Sequence, residues 1–400
     1  MARLKNIVVI NDFDYIQGGA SKVAIQTANL LVEQDKNLKV YFFSAVHEDS
    51  TSLDERVINI CTNQNEALKD KNRINGFING IYNFKAKNEL KNLLRSLNNE
   101  ETIIHIHGWT KALSSSVFDI SFKLHFKIVL TLHDYFTACP NGGYFNYKKN
   151  EICHLKPLSY KCIKCNCDSR NYIFKIYRVI RQFVQNKIVR LNDKLTDVIS
   201  ISDFSEKILQ KTLNTNTKIH RVYNPIDLDL NVKHVDYRNN DYFLYVGRVS
   251  KEKGVDIFCK AVTEANKKGV VVGDGSELPR LKKQFSNIQF VGWKKANEVK
   301  QYMKKAKALV IPSRWYEGAP LTPLEALQYG IPIITSDCNA SVDYINDMNG
   351  IIFNIEKNNL TDILVNFSNK YSPNIQIKEN YEKEIKKVYN SILEGDDHSL

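Results

Sequence analysis

No run of about 18 apolar residues occurs anywhere in the chain, and the opening MARLKNIVVI turns polar at once. Neither a membrane-spanning helix nor a secretory signal peptide is therefore expected. The expected location is the cytoplasm, with the eight cysteines mostly reduced. The glycines that follow the first strand do not form GxGxxG, so the dinucleotide fingerprint is missing. Acidic residues are short in number, 44 against 56 lysines and arginines, and the resulting +12 calls for an anionic partner: a phosphorylated metabolite, a membrane surface or nucleic acid. The charge is spread over both halves with no recognisable nucleic-acid module, so nucleic acid is not expected. At 400 residues the chain exceeds what one core usually organises, so two domains are the default.

In the first half, short apolar strands alternate with helical patterns. Residues 7–10 form a buried-type strand, and Gly18 and Gly19 lie in the loop between it and a helix marked by Val23, Ile25, Ala28 and Leu31. Glycines there let backbone amides approach a ligand closely. Asp12 and Asp14 resemble a DxD pair but read as loop residues. Strand alternation puts His105 and His107 on one face, and packing or ligand lining suits them better than a metal, since no third ligand is spaced nearby. His133 follows the strand at 127–132, at an edge suited to touching substrate. Cys139, Cys153, Cys162, Cys165 and Cys167 crowd an insertion at 139–167. Their spacing fits either a structural zinc or a reduced thiol cluster. Residues 173–191 then read as one amphipathic basic helix, with its cations in solvent or on anionic lipid.

The same alternation restarts after a polar linker. A strand at 242–246 leads to Arg248 and Lys253, which bracket a loop suited to a diphosphate. Gly273 and Gly275 punctuate the next strand end. The strand at 308–311 delivers Glu317, Gly318 and Ala319 to a sheet edge, with Thr322 read as the cap of a helix and Glu325 closing a capping box. Strands alternating with helices, twice over, argue for two parallel α/β sheets.

Arg248, Lys253, the Gly273–Gly275 turn, Glu317 and Glu325, in that order and spacing, resemble the donor half of glycosyltransferase family 4, retaining enzymes of GT-B architecture. The resemblance extends to the first half through Gly18, Gly19, His133 and Asn224-Pro225. It implies two Rossmann-like domains facing each other across a cleft: 1–228 on the acceptor side, 229–372 on the nucleotide-sugar side, and 373–400 as a helix and tail crossing back. It also implies roles. Glu317 would contact the donor sugar, with His133 facing it and the backbone of Gly318, Ala319, Pro320 and Leu321 approaching sugar and phosphate. Glu325 would bind ribose. Arg248 and Lys253 would neutralise the departing diphosphate, so that no catalytic metal or cofactor is required, and Gly19 would bring its amide to the same phosphates. The implied reaction moves a sugar from a nucleotide-sugar to a saccharide or lipid-linked saccharide in surface-polysaccharide synthesis. A sugar-nucleotide epimerase of the same architecture is the alternative.

Overall fold

The computed structural model describes residues 3–49, 51–225, 232–357, 359–374 and 380–394. The first half folds around a seven-stranded sheet: β1 (Asn6–Ile10), β2 (Lys39–Ser44), β3 (Ile58–Cys61), β4 (Thr102–Ile106), β5 (Lys127–Leu132), β8 (Asp197–Ser200) and β9 (Lys218–Arg221). A small hairpin, β6 (Phe145–Asn146) with β7 (Glu151–Ile152), lies in the cysteine-bearing insertion. Strand order in the large sheet is β3-β2-β1-β4-β5-β8-β9, parallel throughout. Apolar cores cover both faces, which is why β1 and β4 are buried at every position rather than alternating.

The second half builds a six-stranded parallel sheet from β10 (Tyr242–Val246), β11 (Lys268–Val272), β12 (Ile288–Gly292), β13 (Ala306–Ile311), β14 (Ile333–Ser336) and β15 (Gly350–Phe353). Its order is β12-β11-β10-β13-β14-β15, again with a core on each face. In each sheet the chain starts in the middle and reverses direction once, between β1 and β4 in the first and between β10 and β13 in the second. Crevices open at the carboxyl ends of strands where the order reverses. The loops carrying Gly18 and Gly19, Arg248 and Lys253, and Glu317 all leave those strands.

The segment 232–241, read as a polar linker, contributes Tyr237 to the second core, its hydroxyl donating to the Tyr371 carbonyl at 3.2 Å. The boundary placed at 228 and the tail beyond 394 lie outside the described residues. The helix Tyr381–Glu394 packs Ile385, Val388, Tyr389 and Ile392 into the first domain's core. Its Tyr389 hydroxyl lies 2.7 Å from His105 Nδ1.

Two local expectations are corrected. The helix at Thr322–Gln328 begins one residue early, with Leu321 at the cap position and no side-chain cap bond, so Thr322 and Glu325 do not form a capping box. The basic helix is turned inside out. It runs from Tyr172 to Phe183 and passes through a π-turn at Val184–Ile188, and its buried positions include Lys175, Arg181 and Gln182. Ile173, Ile180, Phe183 and Ile188 are exposed instead. Lys175, Arg178 and Arg181 face inward because they have work there, while Lys187 and Arg190 stay exposed: Arg181 donates to the carbonyls of Thr110 (3.1 Å) and Pro140 (3.2 Å), and Arg178 pairs with buried Asp168 at 2.8 Å.

Lys175, fully buried, reaches the thiols. Its Nζ lies 3.5 Å from Cys162 Sγ, and Asn141 Nδ2 lies 3.1 Å from Cys167 Sγ. All eight cysteines are free, and among the described residues no group of three or more His, Cys, Asp or Glu side chains is placed to hold a metal ion. The Lys175 ammonium thus sits against the Cys162 thiol inside the insertion.

Candidate functional site

Glu317 is the centre of the second-domain edge. One carboxylate oxygen is paired with the Lys253 ammonium, and the other accepts from the Ser313 hydroxyl at 2.8 Å. Both partners of the ion pair are mostly buried, with 18% and 16% of their side chains exposed. Burial alone would raise the Glu317 pKa, but the adjacent ammonium and the Ser313 hydroxyl outweigh it and hold it below the ordinary glutamate value. Glu317 is therefore ionised at neutral pH and cannot serve as a proton donor. Its backbone is pinned too: the Glu317 carbonyl accepts from the Ala340 amide at 2.9 Å.

Lys253 reaches Glu317 because the chain leaves β10 through a turn that ends on Gly254, whose φ of +66° suits glycine. A side chain at Gly254 would also strike the Pro312 carbonyl. Arg248, in the same turn, is held by Glu252 at 2.6 Å, and Ser250 donates to the same Glu252 oxygen at 2.8 Å. Glu252 is buried while Arg248 is 60% exposed, so the guanidinium is tethered at one side and presented outward. Gly273 and Gly275 sit directly beneath this turn. Their φ values are +141° and +157°, and a Cβ at either would strike the carbonyl of Gly247 or Val249. Backbone packing alone accounts for both glycines.

Gly318, Ala319, Pro320 and Leu321 are partly exposed and lead into the Thr322–Gln328 helix, where Glu325 is exposed in the first turn. This loop touches the first domain. A Cβ on Gly318 would lie 3.5 Å from the His133 carbonyl. The Tyr316 ring packs edge-on against Tyr135 at 6.2 Å and Phe204 at 5.8 Å. Behind Phe204, Ser202 caps its helix, and the Phe204 amide donates to Asp343 at 3.0 Å, a second link between domains.

On the facing side, His133 Nε2 lies 2.9 Å from His107 Nδ1 with the two rings stacked, and the His105 ring lies tilted against His107 with centroids 4.1 Å apart. Burial lowers all three pKa values, to about 4 for His133 and about 3 for His105, so the row is neutral at pH 7. His105 is satisfied by Tyr389 and by Thr131 at 2.7 Å. It belongs to the core, whereas His107 holds the ring of His133. Burial also raises the neighbouring Asp134 to about 6, against the amide of Phe136 and the charge of Arg181. Asp12 and Asp14 are structural: Asp12 accepts the amides of Lys111, Ala112 and Leu113, and Asp14 binds His47 and Asn59.

Gly18 and Gly19 differ from the other glycines. Gly18 has an extended φ of 178°, and a Cβ at either position meets nothing within 4 Å. The Ser21 hydroxyl accepts from the amides of Gln17 (2.9 Å) and Gly18 (3.0 Å), ordering the loop and leaving its outer side open.

Lys253, Glu317, Ser313 and the Gly318 loop are thus brought together against His133, with Arg248 on the adjoining turn. Glu325 lies in the first turn of the helix that follows the Gly318 loop, and Gly18 and Gly19 lie on the loop leaving β1. Ser313, Glu252 and Tyr316 escaped the sequence reading, which had His107 only as packing or ligand lining. Ser313 and Tyr316 flank Glu317 in sequence and Glu252 stands beside Lys253, so proximity was the available signal.

Two family models match. "Glycosyl transferases group 1" covers residues 229–383, and "Glycosyltransferase Family 4" covers residues 17–230, more than half of the chain. Lipopolysaccharide 1,6-galactosyltransferase of Salmonella typhimurium is 32% identical over 150 residues, 34% of this chain and 41% of that protein. UDP-Gal:alpha-D-GlcNAc-diphosphoundecaprenol alpha-1,3-galactosyltransferase of Escherichia coli is 28% identical over 196 residues, 42% of this chain and 49% of that protein. The matched stretch spans about half the length of these relatives. Among solved structures, the apo lipopolysaccharide outer core galactosyltransferase WaaB superposes with a TM-score of 0.56 at 19% identity, covering 96% of this chain and 99% of that one. Anabaena HepE in complex with UDP-glucose gives 0.59 at 15% identity, covering 97% and 98%. The two parallel sheets, with their reversal points turned to a shared edge, are the GT-B fold, and the chain belongs to glycosyltransferase family 4.

Proposed function

We propose that this chain is a retaining glycosyltransferase that moves a hexose from a uridine diphosphate sugar to a lipid-linked saccharide during surface-polysaccharide synthesis. The observation that carries this is the Lys253–Glu317 pair, anchored by Ser313 at the β10/β13 crevice with Arg248 presented beside it. In the reaction the bond from the sugar's anomeric carbon to the diphosphate oxygen breaks, and the acceptor oxygen bonds to that carbon. The acceptor's proton passes to the leaving diphosphate. Negative charge grows on the diphosphate as the bond lengthens, and two preplaced cations stabilise that charge more than the ground state.

Glu317, ionised and tied to Lys253, orients sugar hydroxyls and steadies the ammonium. A glycosidase-like acid and base pair is not available, since Glu317 holds no proton and Glu325 lies on the helix beyond. Glu325 takes the ribose, the Gly318–Leu321 backbone approaches the sugar, and the open side of Gly18 and Gly19 receives the phosphates. Uridine and a lipid diphosphate acceptor are supported by the relatives' names.

Thermal shift against a panel of nucleotide sugars tests the donor. A ligand at 100 times its Kd adds about 2.7 kcal/mol to folded-state stability. Uridine diphosphate hexoses should stabilise, and uridine diphosphate should be released only when an acceptor is present. Interconversion of the donor alone would instead mark an epimerase.

A further inference from the structure

Two neighbouring helices of the first domain carry their apolar residues on the outside. The helix Arg73–Ile81 buries Gly76 and Gly80, one turn apart, and exposes Ile74 (72%), Phe77 and Ile78. Gly76 packs on the Ala67 carbonyl, and Gly80 allows close packing on the helix Tyr172–Phe183: a Cβ on Gly80 would collide with the Tyr177 hydroxyl, and the Phe77 and Tyr177 rings lie 5.0 Å apart. That second helix turns Lys175, Arg181 and Gln182 inward and exposes Ile173 (75%) and Phe183 (52%). A surface helix normally does the reverse. Here two helices in contact both do it, so the apolar residues are not stray exposures but a shared face.

The charge around this face is of one sign. Residues 69–91 hold six lysines and arginines against two acidic residues, and residues 160–194 hold nine against two. Several inward cations are already satisfied by carbonyls, Asp168 and thiols, while Lys71, Arg73, Lys85, Lys164 and Lys187 remain at the exposed surface. An apolar face fringed with lysine and arginine, and with aromatic Tyr160 and Tyr172 at its margin, has the composition of an interfacial membrane surface. We infer that this two-helix face docks on an anionic lipid bilayer, inserting Ile74, Ile78, Ile173 and Phe183 to the headgroup boundary with the cations against lipid phosphates. The inference rests on the reading that the acceptor is lipid-linked, and it gives that reading a geometry. Arg181 and Gln182 bond the backbone at Thr110 and at Thr137 to Pro140, the loops leaving β4 and β5 at the cleft. The helix that meets the membrane on one side therefore supports the acceptor-side rim on the other.

The test is flotation of the full chain with vesicles of phosphatidylcholine and phosphatidylglycerol at 7:3, and with phosphatidylcholine alone. Ile74→Asp combined with Ile173→Asp changes two outward side chains, so melting temperature should hold. The wild type should float with the anionic vesicles and far less with the neutral ones, and the double variant should lose about tenfold in bound fraction. Stabilisation by uridine diphosphate sugar, measured in parallel, should be unchanged in the variant. Equal flotation of wild type and variant overturns the inference. So does a wild type that is dimeric without lipid and becomes monomeric in the variant, which would make the face a contact between copies. Normal flotation without any nucleotide-sugar stabilisation would support the docking face while removing the donor assignment.

Discussion

Replacing Lys253 by methionine keeps most of the side-chain volume and removes only the charge, which separates the two jobs assigned to this residue. In the folded wild type, Glu317 is mostly buried, with the Lys253 ammonium on one oxygen and the Ser313 hydroxyl on the other. Without the ammonium the carboxylate keeps one hydrogen bond and loses its counter-charge. Breaking a buried pair on one side costs about 3 kcal/mol. For a domain of this size that corresponds to a melting temperature lower by roughly 6 to 12 °C. The sign of the pH dependence is diagnostic. In the wild type the folded-state pKa of Glu317 is lowered, so its contribution is present above the unfolded carboxyl range and is lost as pH falls through the folded value. In Lys253→Met the main lowering influence is gone and burial remains, so the pKa rises and protonation favours the folded state. The variant's deficit should therefore shrink between pH 7 and pH 5. Adding Glu317→Gln removes the orphaned charge and should recover most of the loss at pH 7, while transfer stays reduced by about a hundredfold or more in both variants. Thermal melts across that pH range and initial rates of uridine diphosphate release supply the data. A Lys253→Met protein that is as stable as wild type at pH 7, that weakens further on acidification, or that turns over normally would refute the reasoning.

Glycine substitutions should split by cause. Gly19→Ala should melt with the wild type when empty and lose nucleotide-sugar stabilisation, since a Cβ there meets only open space. Gly273→Ala should cost about 2 kcal/mol or more in the empty protein, from its φ of +141° and the collision with the Gly247 carbonyl; equal melting of both variants would contradict this. The three histidines predict a second pH dependence. Folded pKa values lowered to about 4 and 3 mean that the unfolded chain binds more protons below pH 6.5, so stability falls as pH drops from 6.5 towards 4. His107→Phe should flatten that slope in melts over the range and, by releasing His133, lower the transfer rate at pH 7.

The parallel sheets were legible because β1, β4, β5, β10 and β13 are short apolar runs ended by asparagine, histidine, glycine or proline, a pattern fixed by burial on both faces. Lys253 and Glu317 were legible as a pair only through the family resemblance, because 64 residues separate them and spacing carries no information about contact. The helix at 172–183 was read with the right period and the wrong face. Periodicity places residues on a face but does not say which face is turned inward. The usual rule, apolar side in, failed because carbonyls at Thr110 and Pro140, the carboxylate of Asp168 and the thiols needed cations beneath the helix. A buried hydrogen-bond requirement set by distant loops leaves no local signature.

The glycines show the same limit from the other side. Gly18 and Gly19 and the Gly273, Gly275 pair look alike in sequence, each following an apolar strand, and both entered the family resemblance. The structure gives the second pair a reason internal to the protein: two loops stacked so closely that any Cβ would meet a carbonyl carbon or oxygen. It gives the first pair no such reason. A glycine that the fold does not require, in a loop beside the β1/β4 reversal point, has its small size left to be explained by something outside the chain. That residual is what makes Gly19 the sharper test of the donor site. A side chain there changes what a ligand meets and little that the protein itself meets, whereas a loss of binding in Gly273→Ala would be confounded by the damage to the turn that carries Arg248.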